Sequence, residues 1–184
     1  MKFVAIDFET ANASLQSACS LGMLVFEDGV LVHSYYTLLL PDKKYRRFHW
    51  GNQLIHNISL EMIQDAPSWK EVFPIIEPWF EDAIIVAHNA QFDMQVLKSL
   101  NVLNGFKTSF PYLCTVEVSR MIHPGLQNHK LSTVAQYLEI ELDHHNALSD
   151  AYACSMIMVD AMVKASQFDI YKLVDFLGLK LKNS

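Results

Sequence analysis

Four acidic residues lie at the edges of apolar segments in this chain, in positions where their charge needs compensation. Asp7 and Glu9 follow an apolar N-terminal run, and Asp93 and Asp150 each follow an apolar stretch farther along. A carboxylate beside a buried element is costly unless something offsets its charge. Two divalent cations would cancel the charge of four carboxylates that converge in one cleft. The residues therefore predict a two-metal site for phosphoryl transfer.

The pair Asp7 and Glu9 supports this interpretation more strongly than Asp93 or Asp150 does alone. Asp7 and Glu9 are two residues apart on a predicted strand, so their side chains point to the same face. Their oxygen atoms suit hard cations such as Mg²⁺ or Mn²⁺. The alternative is that the strand ends there and both acids are solvated. Asp93 and Asp150 each lie about one turn into a predicted helix, where the helix dipole alone favours an acid.

A histidine pair precedes the last acid and offers a candidate general base. His145 lies five residues before Asp150, and a neutral imidazole can remove a proton from water near neutral pH. His144 is adjacent and competes for the same role. Either residue could instead be an exposed histidine without a catalytic part.

The apolar pattern predicts an α/β domain with a mixed sheet. Strands are expected at 2–7, 20–27 and 30–40, with a hairpin turn at Asp28-Gly29. Irregular chain from 42 to 58 is followed by a short helix capped by Ser59. Further strands are predicted at 83–87 and 112–114, and helices at 69–80, 90–100 (with Asn89 as N-cap), 115–122, 131–138, 147–166 and 169–177. Strands followed by strand–helix alternation are typical of an α/β fold with helices around the sheet.

Composition narrows the class of protein. The 184 residues are 51% hydrophobic and 18% charged, which predicts one folded domain over 1–184. No apolar run reaches the length of a membrane span, and the N-terminal run is too short for a signal peptide, so we expect a cytoplasmic protein without a membrane partner. The three cysteines are far apart, which favours buried thiols over a zinc site.

The charge is unevenly distributed. The net charge of −6 argues against a protein that coats nucleic acid, although bound metal ions could reverse the sign locally. Residues 43–47 hold four basic side chains, and Phe48, His49 and Trp50 follow. This basic cluster is either a solvated loop or a set of phosphate contacts beside aromatic rings that stack on bases.

The three motifs together resemble a known enzyme family. Asp-x-Glu at the end of the first strand, His-Asn-x-x-Phe-Asp at 88–93 and His-x-Ala-x-x-Asp at 145–150 resemble the motifs of the DEDDh 3′→5′ exonucleases. That family includes the epsilon proofreading subunit of bacterial DNA polymerase III and RNase T. Residues 55–59 and 66–69 resemble its His-Gly-Ile-Thr and Ala-Pro-Thr-Phe segments, and 131–135 its Leu-x-x-Leu-Ala helix. Asn57 stands where the family usually has Gly.

The resemblance implies an RNase H-like fold and a two-metal exonuclease that releases nucleoside 5′-monophosphates from single-stranded nucleic acid. It implies that Asp7, Glu9 and Asp150 ligate one Mg²⁺ or Mn²⁺, that Asp7 and Asp93 serve a second, and that His145 is the general base. The interval of five residues to the last acid selects His145 over His144. The terminal nucleotide is expected to contact six residues of the matched segments, namely Phe8, Thr10, His56, His88, Asn89 and Phe92.

Other functions stay open at this point. A strand ending in Asp-Phe-Glu-Thr also suggests a haloacid-dehalogenase-type phosphatase, but the second acid there should be Asp. A silent nucleic-acid-binding module on the same scaffold should have lost one of the acids, and all are present. DNA is the favoured substrate and a 3′→5′ exoribonuclease is the alternative. A polymerase or repair partner would have to act in trans.

Overall fold

The computed structural model describes all 184 residues, which form a six-stranded sheet and seven helices. The strands are β1 (Lys2–Thr10), β2 (Ala18–Glu27), β3 (Val30–Leu38), β4 (Ile84–Ala87), β5 (Pro111–Cys114) and β6 (Lys182–Asn183). The helices are α1 (Trp50–His56), α2 (Trp69–Phe80), α3 (Gln91–Asn104), α4 (Thr115–Ile122), α5 (Leu131–Tyr137), α6 (Ala147–Ala165) and α7 (Ile170–Phe176). The expected α/β fold with a mixed sheet, antiparallel opening strands and flanking helices is confirmed.

The sheet order β3-β2-β1-β4-β5-β6 places β1 near the centre. β1 pairs antiparallel with β2 and parallel with β4, and β4 pairs parallel with β5. The carboxyl ends of β1, β4 and β5 therefore meet at one edge of the sheet. In open α/β sheets this edge is where ligands bind.

Alternate residues of β1 enter two separate hydrophobic layers. Val4, Ile6 and Phe8 pack with α2 and α3, whereas Phe3 and Ala5 pack with α4, α6 and α7. This alternation follows from the two-residue period of a strand. By the same period, Asp7 continues the face of β1 that α6 covers.

One glycine permits α6 to lie directly on the sheet. A Cβ atom at Gly22 would stand 2.2 Å from the carbonyl oxygen of Ala147, which is the first residue of α6. Gly22 is also the antiparallel partner of Asp7. The absence of a side chain at Gly22 thus sets how closely the start of α6 approaches the strand that carries Asp7.

The structure corrects several local predictions. Residues 50–56 form α1 instead of irregular chain. The helix predicted from Ser59 is instead a series of turns over 60–65, in which each backbone hydrogen bond joins residues three apart. Asn89 does not cap α3: it has a left-handed backbone (φ 70), and the helix begins at Gln91. β6 was not predicted, because two exposed residues carry no apolar pattern. None of the seven helices combines the length and the apolar character that a membrane span requires.

Candidate metal centre

Asp7 and Glu9 lie on the C-terminal half of β1. Their neighbours across the sheet are Gly22 and Ser20 of β2, and the register shifts immediately after Glu9. The Glu9 side chain is 13% exposed, so it keeps limited contact with solvent. β1 therefore presents two carboxylates of the same face at the open edge of the sheet, as the sequence predicts.

Asp93 reaches the same edge from the first turn of α3. It is 2% exposed, and the backbone N–H of Phe8 donates to its Oδ1 at 3.1 Å. This bond joins α3 to β1 between Asp7 and Glu9. Burial of Asp93 is thus offset by a hydrogen bond that also fixes its distance from the other two carboxylates.

Asp150 is positioned by the turn that precedes α6. Asn146 caps the helix, accepting from the backbone N–H groups of Leu148 and Ser149 at 3.2 and 3.3 Å. One turn later, Asp150 is 4% exposed and accepts from the His145 backbone N–H at 3.1 Å. His145 has a left-handed backbone (φ 71), which turns the chain back over its own helix.

These acids converge in one cleft. Carboxylate oxygens of Asp7, Glu9 and Asp150 lie within 4.8 Å of one another, close enough to hold a single cation. The cleft has a volume of about 460 Å³, and Asp93, His144 and His145 also line it. An oxygen-rich set of this kind suits Mg²⁺ or Mn²⁺ better than zinc, and it fits the metal centre expected from the motifs.

The carboxylates disfavour one another's ionised form. Burial, reinforced by the neighbouring acids, raises the pKa of Glu9 to about 8 and raises the pKa of Asp7 well above its ordinary value. Burial also raises the pKa of Asp93, although the hydrogen bond from Phe8 opposes this. Three buried acids whose ionised forms are disfavoured until a positive charge compensates them are a strong indication that a cation belongs there.

Both candidate bases contact the carboxylates. His144 Nδ1 lies 2.9 Å from Asp150 Oδ2, and His145 Nδ1 lies 3.9 Å from Glu9 Oε1. The two rings stack at 3.8 Å, and each side chain is 39% exposed. Burial, with a smaller contribution from His144, lowers the pKa of His145 and favours the neutral ring that a general base requires.

Of the six residues expected to contact the terminal nucleotide, only some lie in the cleft with the acids. Four of them line the cleft with the acids, namely Phe8, His88, Asn89 and Phe92. Phe92 is 38% exposed and Phe8 only 3%. Thr10 and His56 do not line this cleft; His56 lines an adjoining pocket that shares His144 and His145 with it.

Two of those six residues are held by protein partners. His56 Nδ1 accepts from the Ile58 N–H at 3.0 Å, and its Nε2 lies 3.2 Å from the Thr10 carbonyl oxygen. Both ring nitrogens of His88 are also engaged, by Thr115 Oγ1 and by the His129 carbonyl oxygen, each at 2.9 Å. Burial lowers the pKa of His88 to about 4, so the neutral ring braces the wall of the cleft.

The far wall of the cleft was not anticipated as a functional surface. It is formed by the start of α5 and the residues before it: His129, Lys130, Leu131 and Ser132. Lys130 is the only lysine or arginine that lines the cleft. The sequence marks this segment only as the beginning of a helix, and nothing in its pattern indicates that it faces the acids.

The fold and the carboxylate cleft together define a nuclease of RNase H-like architecture. Residues 4–158 match the RNase_T family, described as exonuclease, and the chain belongs to that family, a group of DEDDh-type exonucleases. Enzymes of this family depend on divalent metal ions.

Individual proteins show the same likeness. The chain is 30% identical over 172 residues to a DNA polymerase III PolC-type protein of Caldanaerobacter subterraneus subsp. tengcongensis; the match covers 92% of this chain and 12% of that protein. The chain therefore spans about an eighth of the length of such relatives. Exonuclease X, solved with 5′ overhanging duplex DNA, shares 24% identity (TM-score 0.74; 96% of this chain, 99% of that one). E. coli Exonuclease I with a dA16 oligonucleotide shares 15% (TM-score 0.80; 94% and 43%).

Proposed function

We propose that the chain is a 3′→5′ exonuclease that hydrolyses the terminal phosphodiester of single-stranded nucleic acid, DNA in preference to RNA, and releases nucleoside 5′-monophosphates. The observation that carries this proposal is the convergence of Asp7, Glu9, Asp93 and Asp150 beside a histidine pair at the carboxyl edge of the sheet. The PolC-type relatives support DNA as the substrate and a polymerase context for the activity. We also propose that residues 1–184 act as one exonuclease domain.

The carboxylates fit a pair of divalent cations, Mg²⁺ or Mn²⁺. Asp7, Glu9 and Asp150 would hold one cation, and Asp7 with Asp93 would serve the other. When bound, the cations supply charge stabilisation for the phosphoryl group and for the leaving 3′ oxygen. They would also offset the burial and the mutual repulsion that raise the pKa of Glu9 and Asp7.

The remaining chemistry belongs to protein side chains. His145 would accept the proton of the attacking water, because its ring is neutral, partly exposed and near Glu9. Phe92 would lie against the terminal base, and Phe8 supports Asp93 through its backbone N–H. Lys130 also lines the cleft, where its ammonium group would contact a phosphate of the substrate.

The test is degradation of 5′-labelled single-stranded DNA and matched RNA with Mg²⁺ or Mn²⁺, and again with EDTA. We expect a metal-dependent ladder that shortens from the 3′ end, faster on DNA. Asp7→Asn should abolish it, since this change removes a charge from both metal positions while keeping the shape of the side chain. Asp175→Asn, an exposed change on α7, is the matched control and should leave the ladder intact.

Three outcomes would contradict the proposal. Shortening from the 5′ end would refute the direction, and faster loss of RNA would replace DNA with the exoribonuclease alternative. No shortening of either polymer under any metal would leave a nucleic-acid-binding module on this scaffold.

A further inference from the structure

The basic cluster at residues 43–47 is not used by the site described above, and its surroundings set it apart from the rest of an acidic protein. Between Gly29 and Leu60 the only carboxylate side chain is Asp42, although the chain has 20 acids in all. No side chain of the cluster takes part in any ion pair of the structure. Arg46 donates to the Pro41 carbonyl oxygen at 2.9 Å, whereas Lys43, Lys44 and Arg47 are exposed and Asp42 is the only acid beside them.

The cluster is anchored to the segment that immediately follows β1, the strand that carries Asp7 and Glu9. Asn12 Nδ2 donates to the carbonyl oxygens of Tyr45 and Arg47 at 2.9 and 2.7 Å, and the His49 N–H donates to the Ala11 carbonyl at 2.8 Å. Asn12 is three residues beyond Glu9, so their Cα atoms are at most about 11 Å apart. The backbone is held, while Lys43, Lys44 and Arg47 remain exposed.

Helix α1 follows the cluster and exposes an apolar face. Trp50 and Leu54, one helical turn apart, are 70% and 71% exposed, and only His56 of this helix is buried. The end of α1 lines the pocket that shares His144 and His145 with the metal cleft. The basic cluster is therefore joined through α1 to the pocket that His144 and His145 line.

We propose that Lys43, Lys44, Arg47, Trp50 and Leu54 form an upstream surface that binds the part of a nucleic-acid strand preceding its 3′ end. The three basic side chains would contact phosphates, and Trp50 and Leu54 would lie against bases. This proposal rests on the proposed exonuclease function for the direction of the strand. Charge complementarity selects the occupant: basic side chains that form no ion pair, beside an exposed aromatic ring, match a polyanion with stacking bases better than an apolar protein partner.

The salt dependence of binding tests whether the basic side chains contact phosphates. Binding of a labelled oligothymidylate is followed by fluorescence anisotropy in Ca²⁺, for the wild type and the triple variant Lys43→Gln, Lys44→Gln, Arg47→Gln. Each phosphate contact on a single strand contributes about 0.7 to the slope of log affinity against log salt, so the slope should become shallower by about 2. The control triple Lys98→Gln, Lys172→Gln, Lys180→Gln removes equal charge from exposed positions elsewhere and should keep the wild-type slope.

Trp50 tests the stacking contribution. Trp50→Ala should weaken binding by about tenfold, and Trp50→Phe should retain most of the affinity, because any aromatic face can stack on a base. Trp50 is largely exposed, so neither change removes core packing. Equal loss in both variants would contradict stacking.

A small substrate separates this proposal from the proposed function. The p-nitrophenyl ester of thymidine 5′-monophosphate reaches the metal cleft but has no upstream strand. The triple variant should hydrolyse it as the wild type does, while its kcat/KM on the long strand falls. If the wild type hydrolyses neither substrate, the exonuclease proposal fails, and anisotropy still tests the surface. An unchanged salt slope in the test triple variant, or equal changes in the test and control triple variants, would contradict the proposed upstream surface. The exposed face of α1 would then be better explained as a contact for a protein partner.

Discussion

At the scale of single residues, the two adjacent histidines make different contacts despite stacking on each other. His144 Nδ1 is within hydrogen-bond distance of both oxygens of Asp150, at 2.9 and 3.1 Å. The His145 ring has no contact that short: its Nδ1 lies 3.9 Å from Glu9. His145 is therefore the freer of the two to meet a water molecule, whereas His144 helps to hold Asp150.

This difference leads to a prediction for the pair. His145→Ala should lower kcat by about 10²–10⁴-fold, the usual contribution of a positioned general base, and His144→Ala should lower it much less. In the wild type the rate should fall on acidification only below the ordinary histidine pKa of about 6.5, because burial lowers the pKa of His145. Steady-state kinetics of both variants across pH are the measurement. A larger loss in His144→Ala, with the acid limb unchanged in His145→Ala, would transfer the role to His144.

The sequence alone predicts which acids form the site, but it does not predict all the side chains that line the cleft around them. Asp-x-Glu on a strand and an acid one turn into each of two helices are local patterns that the sequence shows directly. Taken together, these three motifs allowed the convergence of the four acids in one cleft to be anticipated. Asn57 could also be anticipated: it replaces a glycine of the family, and its φ of 57 is the left-handed geometry that Asn tolerates. Lys130 could not, because only the packing of α5 brings it to the lining of the same cleft.

At the scale of elements, α6 shows how a helix positions catalytic groups through its first turn. Its start lies against Gly22, directly across from Asp7. Asp150 lies in its first turn, and the histidine pair immediately precedes its N-cap. The sequence predicts α6 well, from its length and apolar pattern. It does not predict the close approach at Gly22, because a glycine within a buried strand has many possible reasons. The same limit applies to α1, whose apolar residues face outward and so give no inward pattern.

Gly22→Ala should separate α6 from β1. The added methyl group meets the backbone of Ala147 at 2.2 Å, and backbone cannot rotate away as a side chain can. We expect a loss of about 1–3 kcal/mol or more in the free energy of unfolding, with a large fall in exonuclease rate and in Mn²⁺ affinity as Asp150 moves. Gly125→Ala is the matched control, since nothing lies within 4 Å of its Cβ position. Chemical denaturation and metal titration of both variants measure the effect, and normal metal affinity in Gly22→Ala would contradict it.

At the scale of the whole molecule, the carboxylate cluster trades stability for metal binding. For an acid whose pKa is raised in the folded protein, the folded state keeps its proton over a range in which the unfolded chain releases it. The free energy of unfolding therefore falls as pH rises. For Glu9 this range runs from its ordinary value of 4.5 to about 8, and the shift corresponds to roughly 3–5 kcal/mol. Asp7 and Asp93 shift in the same direction.

Asp93→Asn tests this trade, because the amide keeps the shape and the bond from Phe8 while it removes one buried charge. In EDTA at pH 8 the variant should melt above the wild type by about 2–6 °C, and this gain should shrink towards pH 4, where the wild-type acids are protonated. Mn²⁺ binds the folded protein and should raise the melting temperature of the wild type strongly at pH 8 and of the variant much less. Asp175→Asn controls for loss of charge at an exposed site. A variant that melts below the wild type in EDTA would mean that Asp93 is a structural acid whose hydrogen bond outweighs the repulsion.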